Sequence, residues 1–352
     1  MLLRSWAVSW HGYPTSPLPF ASPFSSSSLA SSKSNHPVMP SSVRIAVVGD
    51  VHDFWDLEED SKALNFLQPD LVLFTGDYGN ENVELVRSIS NLNLPKAAIL
   101  GNHDCWNTHQ FSQKKADRVQ LQLECLGEQH VGYRRMDFPL LKLSVVGGRP
   151  FSCGGDRLFR PRLLSMRYGV NDMEESAKKI YETAVETPEE HSVILLAHNG
   201  PTGLGSNVND ICGRDWVFGG GDHGDPDLAQ AISDIQRETS ISVPLIVFGH
   251  MHKRLAYGNG LRKMIVVDTN QTVYLNGAIV PRVKQIQESS LSSSSGEEQN
   301  QLQTAGSVDA TLRAFTLVDI LDGRVEKIIE TWVLVAGSKI QIKEENVLFK
   351  NS

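Results

Sequence analysis

Several residue classes are scarce in this chain of 352 residues, and each scarcity excludes a kind of protein. Only four cysteines are present, whereas a secreted scaffold held together by disulfides is short and rich in cysteine. The sequence has no run of about 18 or more apolar residues, so it predicts no transmembrane helix. Basic side chains number 33 against 41 acidic ones, which argues against a nucleic-acid-binding protein that relies on bulk positive charge. Apolar residues make up 40% of the chain, more than a disordered protein contains.

Acidic residues are absent from positions 1–42, which hold 13 serines and six prolines. The only Lys or Arg residues there are Arg4 and Lys33. Three prolines between positions 14 and 19 interrupt any continuous apolar stretch, which a secretory signal would need. This composition is typical of an organelle transit peptide, and its few arginines favour the chloroplast over the mitochondrion. The alternative is a disordered tail without a targeting role.

A second serine-rich stretch, at about residues 285–309, cannot bury enough apolar surface to offset the entropy of ordering it. We expect a disordered insertion between two strands there. The rest of the chain, residues 43–350, is then expected to form a single domain.

Strand-like and helix-like patterns alternate through the first two thirds of that domain. Short, β-branched apolar runs predict buried strands at residues 45–48, 71–75, 97–100, 143–146, 193–197 and 245–248. Amphipathic segments predict helices at residues 57–67, 82–89, 112–126, 172–185 and 225–239. This alternation predicts an α/β layered domain. Strands at residues 264–268, 271–280, 314–320 and 325–335, with little helix between them and a hairpin turn at Asp322-Gly323, predict a second, more antiparallel sheet.

Polar clusters follow five of the predicted strands directly. They are Gly49-Asp50-Val51-His52, Gly76-Asp77, Gly101-Asn102-His103-Asp104, His198-Asn199-Gly200 and Gly249-His250-Met251-His252. Ligands of an open α/β sheet bind at the carboxyl ends of its strands, so we expect these clusters to converge. Each cluster alone is weak evidence for a binding site, because a lone D-x-H or a turn-forming Asn-His-Asp is common. Five such clusters in order, each after a buried strand, are hard to explain without a common site.

The clusters contain seven side chains that could bind a metal: Asp50, His52, Asp77, Asn102, His198, His250 and His252. A catalytic ion takes about three protein ligands, so seven donors suit two ions with one bridging carboxylate. Two such ions clamp the attacking and leaving oxygens of a phosphoryl displacement. Nitrogen and oxygen donors without thiolate fit Mn, Fe, Zn or Ni, and do not choose among them.

These motifs resemble those of the calcineurin-like metallophosphoesterase superfamily: D-x-H, G-D, G-N-H-[DE], a lone His after a strand, and G-H-x-H. The resemblance covers roughly 200 residues, from Gly49 to His252, at the usual size of a domain. It implies a two-sheet β-sandwich flanked by helices, an αββα arrangement of four layers. It also implies two divalent metal ions, and hydrolysis of a phosphate mono- or diester by a metal-activated water.

The resemblance further implies a role for each residue of the motifs. The first metal would be held by Asp50, His52 and His252, and the second by Asn102, His198 and His250, with Asp77 bridging both. The catalytic residues would be His103, as proton donor beside the scissile phosphate, and Asp104, which would hydrogen-bond His103 and keep it oriented.

Departures from the family pattern narrow the choice among the branches of the superfamily. No V-D-R-G continuation follows Asp77, so the phosphate-gripping arginine of the Ser/Thr protein phosphatases is missing. Asn80 stands where purple acid phosphatases have their iron-binding tyrosine, and His52 stands where they have glycine. The lipid A branch would have arginine in place of His103. The chain is therefore most similar to the small phosphodiesterase and phosphatase branch and to plant and cyanobacterial members of uncertain substrate.

Weaker features concern the substrate, which we expect to be a small phosphorylated molecule. The glycine-rich segment 200–224 is either a lid over the site or a long surface loop. Three tryptophans near the motifs form either an aromatic rim that stacks a ring or ordinary loop packing: Trp55, Trp106 and Trp216. Five arginines between Arg149 and Arg167 either grip a second phosphate or lie on a solvated surface.

Two other functions compete with a phosphoesterase. A scaffold of the same fold without catalysis would resemble the retromer subunit of the superfamily, which lacks the catalytic histidine, whereas His103 is present here. A nuclease of the same superfamily is disfavoured by the acidic balance of the chain. The sequence leaves open the oligomeric state and the choice between monoester and diester.

Overall fold

The computed structural model describes residues 42–108, 117–257, 260–286 and 310–351. The predicted transit peptide therefore lies outside the described residues, apart from Ser42, and stays a prediction. Of the predicted insertion, Gln285 and Ile286 lie in a strand, and residues 287–309 lie outside the described residues.

The described ranges contain thirteen strands and six α-helices. The strands are β1 Ser42–Val48, β2 Leu71–Phe74, β3 Lys96–Ala98, β4 Arg135–Phe138, β5 Leu143–Gly147, β6 Ser192–Leu196, β7 Leu245–Phe248, β8 Ile265–Val267, β9 Val273–Asn276, β10 Val283–Ile286, β11 Ala310–Leu321, β12 Arg324–Ala336 and β13 Lys339–Lys350. The helices are α1 Leu57–Leu67, α2 Val83–Ser90, α3 Arg118–Leu126, α4 Pro161–Tyr168, α5 Met173–Val185 and α6 Pro226–Glu238.

Two mixed sheets contain these strands. The first has the order β13-β12-β11-β1-β2-β3, and β10 also pairs with β11. The second has the order β4-β5-β6-β7-β9-β8. In the first sheet β1, β2 and β3 run parallel, and in the second β5, β6, β7 and β9 do. The antiparallel strands extend each parallel core at its edges.

The alternation of side chains along β1 shows how the sheets pack. Val43, Ile45 and Val47 belong to a buried cluster built almost entirely from strand residues of both sheets. Ala46 and Val48 belong to another cluster, which includes the apolar faces of the helices. Since neighbouring side chains of a strand point to opposite faces, each sheet packs on the other sheet with one face and on helices with the other. The α/β sandwich flanked by helices is confirmed.

The strands of the last third were predicted to form the second, more antiparallel sheet, but they divide between the two sheets. Strands β8 and β9 join the second sheet beside β7, and β11 joins the first sheet by pairing with β1. The hairpin turn is as predicted, with Asp322 at φ 49° and Gly323 at φ 75° between β11 and β12, the left-handed conformations that a tight two-residue hairpin uses.

The sequence pattern did not predict β4, β10, β13 or α4. Strand β13 is an edge strand with mostly exposed, charged side chains, so it lacks the apolar alternation that marks a half-buried strand. Within the described part of the chain, no helix is both long and apolar enough to cross a membrane.

Candidate metal centre

Loops from both sheets bring the predicted donors together. Asp50 follows β1, Asp77 follows β2, and Asn102 follows β3 in the first sheet. His198 follows β6 and His250 follows β7 in the second sheet. All five strands run parallel within their own sheets and end at the site, so the convergence expected from their carboxyl ends is observed.

The first group of donors is Asp50, His52 and His252, whose ligand atoms all lie within 4.8 Å of one another. The Nε2 atoms of the two histidines are 3.0 Å apart. One carboxylate oxygen of Asp50 lies 3.5 Å from His252 Nε2. The Asp50 carboxylate also accepts a hydrogen bond from Thr75 Oγ1 (3.2 Å) and from the His250 backbone N–H (2.9 Å), which fixes its orientation.

The second group is Asp77, His198 and His250, whose ligand atoms also lie within 4.8 Å of one another. Asn102 Oδ1 lies 2.9 Å from His198 Nε2 and completes the group. His198 Nδ1 donates to the carbonyl of Thr75 at 2.7 Å. This bond turns Nε2 toward the other donors, as second-shell bonds do for metal-binding histidines.

Asp77 lies between the two groups. Its Oδ2 is 3.8 Å from His52 Nε2, and its Oδ1 is 3.4 Å from His198 Nε2. One carboxylate thus faces a histidine of each group, which is the placement a bridging ligand requires. The backbone N–H of His103 donates to Asp77 Oδ1 at 2.9 Å and holds the carboxylate in this position.

Glycines let these loops approach each other closely. A Cβ at Gly249 would lie 2.1 Å from Asp50 Oδ1, and one at Gly101 would lie 2.3 Å from Asp77 Oδ1. Both distances are far below van der Waals contact, so neither position has room for a side chain. Strained backbone accompanies this packing: Asp50, Asp77 and His250 have φ values of 30°, 49° and 66°, a left-handed region that non-glycine residues adopt mostly at special sites.

Burial and close charges shift the pKa values of the cluster in opposite directions. Burial by itself would raise the pKa of Asp50, but the hydrogen bond with His252 and the nearby His198 hold it below its ordinary value. The pKa of Asp77 is likewise lowered, against the effect of its burial, by His198. His198 is buried as well, and the two carboxylates nevertheless raise its pKa to about 10. Burial together with the charge on His198 lowers the pKa of His250 to about 3.

The donor set fits two divalent cations. Two carboxylates held ionised by their surroundings, four imidazoles and one amide oxygen form the two groups, without thiolate. A third set of three atoms within 4.8 Å of one another, from His52, Asp77 and His103, overlaps both groups. Divalent ions that prefer nitrogen and oxygen ligands match this set. Their positive charge would balance the two carboxylates in place of protons on the histidines.

His103 lies at the edge of the cluster and its position is set by two neighbours. Its ring stacks on Trp106, with centroids 4.7 Å apart and planes 8° apart. Its Nδ1 lies 2.7 Å from Asn80 Oδ1, so Nδ1 carries the hydrogen and Nε2 is the nitrogen left for chemistry. The ring centroid is 5.0 Å from that of His52.

The expected hydrogen bond between Asp104 and His103 is not formed, and Asn80 takes that place. Asp104 is fully buried, and its carboxylate accepts from the backbone N–H of Tyr78 (3.0 Å) and of Gly101 (2.7 Å). It therefore ties the loops after β2 and β3 together. Burial and the charge of Asp77 raise the pKa of Asp104 well above its usual range.

A cavity of about 330 Å³ opens beside the cluster. Part of the glycine-rich segment lines it through Asp215, Trp216 and His223, as expected for a segment between two metal motifs. Trp106 also lines it, whereas Trp55 packs against Phe74 in the core.

The expectations for the arginines need correction at Arg149. This residue is 1% exposed and neither lies on the surface nor faces the metal cluster's cavity. Its guanidinium bonds Asp227 through Nε (2.8 Å) and Nη2 (3.2 Å), and Nη2 lies 2.9 Å from Asp225. Asp225 precedes α6 but makes no cap bond with its side chain, because that carboxylate is engaged with Arg149 and with Ser152.

Three residues of the site were not identified from the sequence in these roles: Asn80, His223 and Arg254. Asn80 was noted only as a departure from a family pattern. His223 lies within the glycine-rich segment, with its Nε2 2.8 Å from the carbonyl of Cys153. Arg254 lies two residues beyond His252 and lines the cavity. The available signal for His223 was its place in a segment between two metal motifs, and for Arg254 its closeness to His252.

Three solved structures that are similar to this chain share 9–13% of its sequence. No curated protein matches it. A dimetal phosphatase from Danio rerio is similar in structure at 11% identity, with a TM-score of 0.45, over 89% of this chain and 100% of that one. The sulfate thiohydrolase SoxB of Thermus thermophilus is similar at 13% identity, with a TM-score of 0.37, over 81% of this chain and 41% of that one.

A predicted phosphoesterase from Streptococcus pneumoniae is similar at 9% identity, with a TM-score of 0.30, over 87% of this chain and 98% of that one. The sequence model of the calcineurin-like phosphoesterases matches residues 43–254. The match spans more than half of the chain and includes every donor of both groups. The protein belongs to the calcineurin-like phosphoesterase family.

Proposed function

We propose that this protein is a dimetal-dependent phosphoesterase that hydrolyses a phosphate mono- or diester with an activated water as nucleophile. The observation that carries the proposal is the position of Asp77, whose two oxygens face a histidine of each donor group, 3.8 Å and 3.4 Å away. A shared carboxylate between two sets of imidazoles is the arrangement that two-metal hydrolysis of phosphate esters uses.

The first ion would be held by Asp50, His52 and His252, and the second by Asn102, His198 and His250. Asp77 would bind both. Two divalent cations at such a site supply positive charge for the phosphoryl oxygens and a water whose pKa is lowered. Mn, Fe, Zn and Ni each suit these donors.

The role proposed for His103 follows from its contacts. Asn80 Oδ1 accepts the hydrogen of Nδ1, and Trp106 holds the plane of the ring. The Nε2 atom of the protonated ring can then donate to the leaving-group oxygen as it departs. General acid catalysis of this kind contributes roughly 10²- to 10⁴-fold to a rate.

The test compares two leaving groups on protein loaded with Mn²⁺. We expect turnover of 4-nitrophenyl phosphate and of phenyl phosphate, and its loss for both esters in Asp77→Ala. We expect His103→Ala to slow phenyl phosphate by about 10² or more and 4-nitrophenyl phosphate much less, because nitrophenolate leaves without a proton. Asp70→Ala, an exposed carboxylate just before β2, is the matched control and should retain full activity.

Equal losses for both esters in His103→Ala would exclude the proton-donor role. Unchanged turnover in Asp77→Ala would refute the proposed function. Bis(4-nitrophenyl) phosphate assayed beside the monoesters distinguishes a diesterase from a monoesterase, and single-stranded DNA tests the nuclease. Absence of bound metal after purification would favour the scaffold without catalysis.

A further inference from the structure

The cavity beside the donor cluster is small. Its volume of about 330 Å³ is at the lower end of the range for small-molecule sites. Its lining includes Asn102 and His250 of the cluster and also His103 and Trp216. A phosphoryl group at the cluster and the group it is esterified to would therefore occupy one continuous space.

Two tryptophans line this cavity, and their surroundings differ. The ring of Trp106 is stacked on His103, at 4.7 Å with planes 8° apart. Trp216 is 45% exposed and meets the ring of His223 edge to face, with centroids 4.9 Å apart and planes 86° apart. The ring of Trp216 is thus the aromatic surface that a ligand in the cavity can stack on.

The loop that carries Trp216 is tied down on one side. The Asp215 carboxylate lies 3.3 Å from Arg262 Nη2 and accepts from the backbone N–H of Ala256 at 2.6 Å. Arg262 Nη1 donates to the carbonyls of Asp210 (2.8 Å) and Gly213 (2.6 Å). These bonds hold the residue before Trp216 in place, and the edge-to-face contact with His223 supports the indole ring itself.

Two arginines line the same cavity. Arg262 is buried, and its donors are taken by Asp215 and by backbone carbonyls. Arg254 is exposed. Its guanidinium makes no hydrogen bond, ion pair or ring contact within the described residues. An arginine at the opening of a cavity with all its donors available is suited to bind a carboxylate or a phosphate.

We propose that this cavity selects phosphate esters or anhydrides whose leaving group contains a planar ring and a second anionic group. The ring stacks on Trp216 and the second anion pairs with Arg254, while the scissile phosphate lies at the donor cluster. The inference rests on the proposed function for the position of that phosphate. The same chemistry is offered by an aryl phosphate with a carboxylate and by a nucleoside diphosphate.

The test measures binding rather than turnover. Calorimetry on protein loaded with Mn²⁺, after removal of free metal, compares three phosphonates that are not hydrolysed: benzylphosphonate, its 4-carboxy derivative and cyclohexylmethylphosphonate. We expect the carboxylate to tighten binding about three- to tenfold. We expect the aromatic ring to bind about three- to tenfold more tightly than the saturated ring.

Each of the two binding preferences should be lost in one single-residue variant. Arg254→Gln should bind benzylphosphonate and its 4-carboxy derivative equally, and Trp216→Leu should bind the aromatic and saturated rings equally. The controls are Arg324→Gln, an exposed arginine after the hairpin turn, and Phe218→Leu, a fully exposed aromatic on the same loop that does not line the cavity. Both controls should keep both preferences.

Equal affinities in the unmodified protein, or preferences that survive in Arg254→Gln and Trp216→Leu, would overturn the inference. The α,β-methylene analogue of ADP distinguishes the two sources, because a nucleotide site would bind it more tightly than the carboxybenzyl compound. Turnover of simple esters without these preferences would overturn the inference alone. The preferences without turnover of any ester would leave the inference in place and refute the proposed function.

Discussion

Replacing Arg149 by methionine tests whether this arginine stabilises the fold by pairing with buried carboxylates rather than binding substrate. The substitution leaves the carboxylates of Asp225 and Asp227 in the interior without their cation. Both side chains are 1% exposed, and both are within 3.2 Å of the guanidinium. Breaking a buried pair from one side costs about 3–5 kcal/mol. In a domain of this size each kcal/mol lowers Tm by about 2 °C, so we expect a fall of roughly 6–10 °C near pH 8.

The loss should shrink at lower pH. Burial, together with Asp227 and against the effect of Arg149, raises the pKa of Asp225 to about 6, compared with about 3.9 for an unfolded aspartate. Between these values the native state binds more protons than the unfolded state, so protonation stabilises the native state as the pH falls, by up to about 1.4 kcal/mol per unit. Without Arg149 the pKa of Asp225 rises further, and the variant should recover stability between pH 8 and pH 5.5.

The assay is thermal unfolding of Arg149→Met and of the unmodified protein at pH 8 and pH 5.5. Arg87→Met is the control, because Arg87 pairs with Glu84 on the surface of α2, where both side chains are at least 51% exposed, and an exposed pair contributes at most about 1 kcal/mol. A loss no larger than in the control, or the same loss at both pH values, would refute the reasoning.

Three further predictions concern the site and the pH response. Gly101→Ala should weaken Mn²⁺ binding at least tenfold by calorimetry, since its Cβ would lie 2.3 Å from Asp77 Oδ1 and displaced outer contacts cost about 10- to 100-fold. Gly169→Asn should bind normally, because no atom lies within 4 Å of the Cβ position of Gly169 and asparagine tolerates its left-handed backbone (φ 68°) after α4. Removing metal with a chelator should lower Tm, because ions that bind only the native state stabilise it; an unchanged Tm would contradict bound metal. Burial and the charge of Arg134 lower the pKa of His130 to about 3, against about 6.5 unfolded, so the unfolded state binds the extra proton and stability falls from pH 6.5 toward pH 3. His130→Gln should reduce this dependence of the free energy of unfolding on pH by about 1.4 kcal/mol per pH unit. The same pH dependence in both proteins, with the free energy measured by denaturant titration at each pH, would refute the prediction.

Five of the seven candidate metal ligands could be placed together from the sequence because each comes just after a short apolar strand. Strand ends are local patterns, and parallel strands place their carboxyl ends together. Asp50, Asp77, Asn102, His198 and His250 could therefore be assigned to one place without knowledge of their contacts.

The partner of His103 could not be assigned in the same way. Asp104 is adjacent in sequence, yet its carboxylate turns inward to the backbone of Tyr78 and Gly101, and Asn80 from another loop reaches the ring instead. Side-chain direction after a turn depends on which backbone donors are buried nearby, and only the packed loops determine that.

The assignment of strands to sheets also depends partly on local sequence patterns and partly on tertiary contacts. The four predicted strand segments at residues 264–268, 271–280, 314–320 and 325–335 each contain a strand. Whether these strands pair with β7, with β1 or with one another depends on long-range pairing that the alternation of side chains does not encode. Arg149 likewise reads as a surface arginine, and only its burial between Asp225 and Asp227 makes it structural. The sequence by itself determined the family, the α/β layers and the set of candidate donors, because these are carried by local patterns. The tertiary structure decided which side chains face Asp77, what orients His103 and which ring and charge line the cavity, because these depend on contacts between residues far apart in the chain.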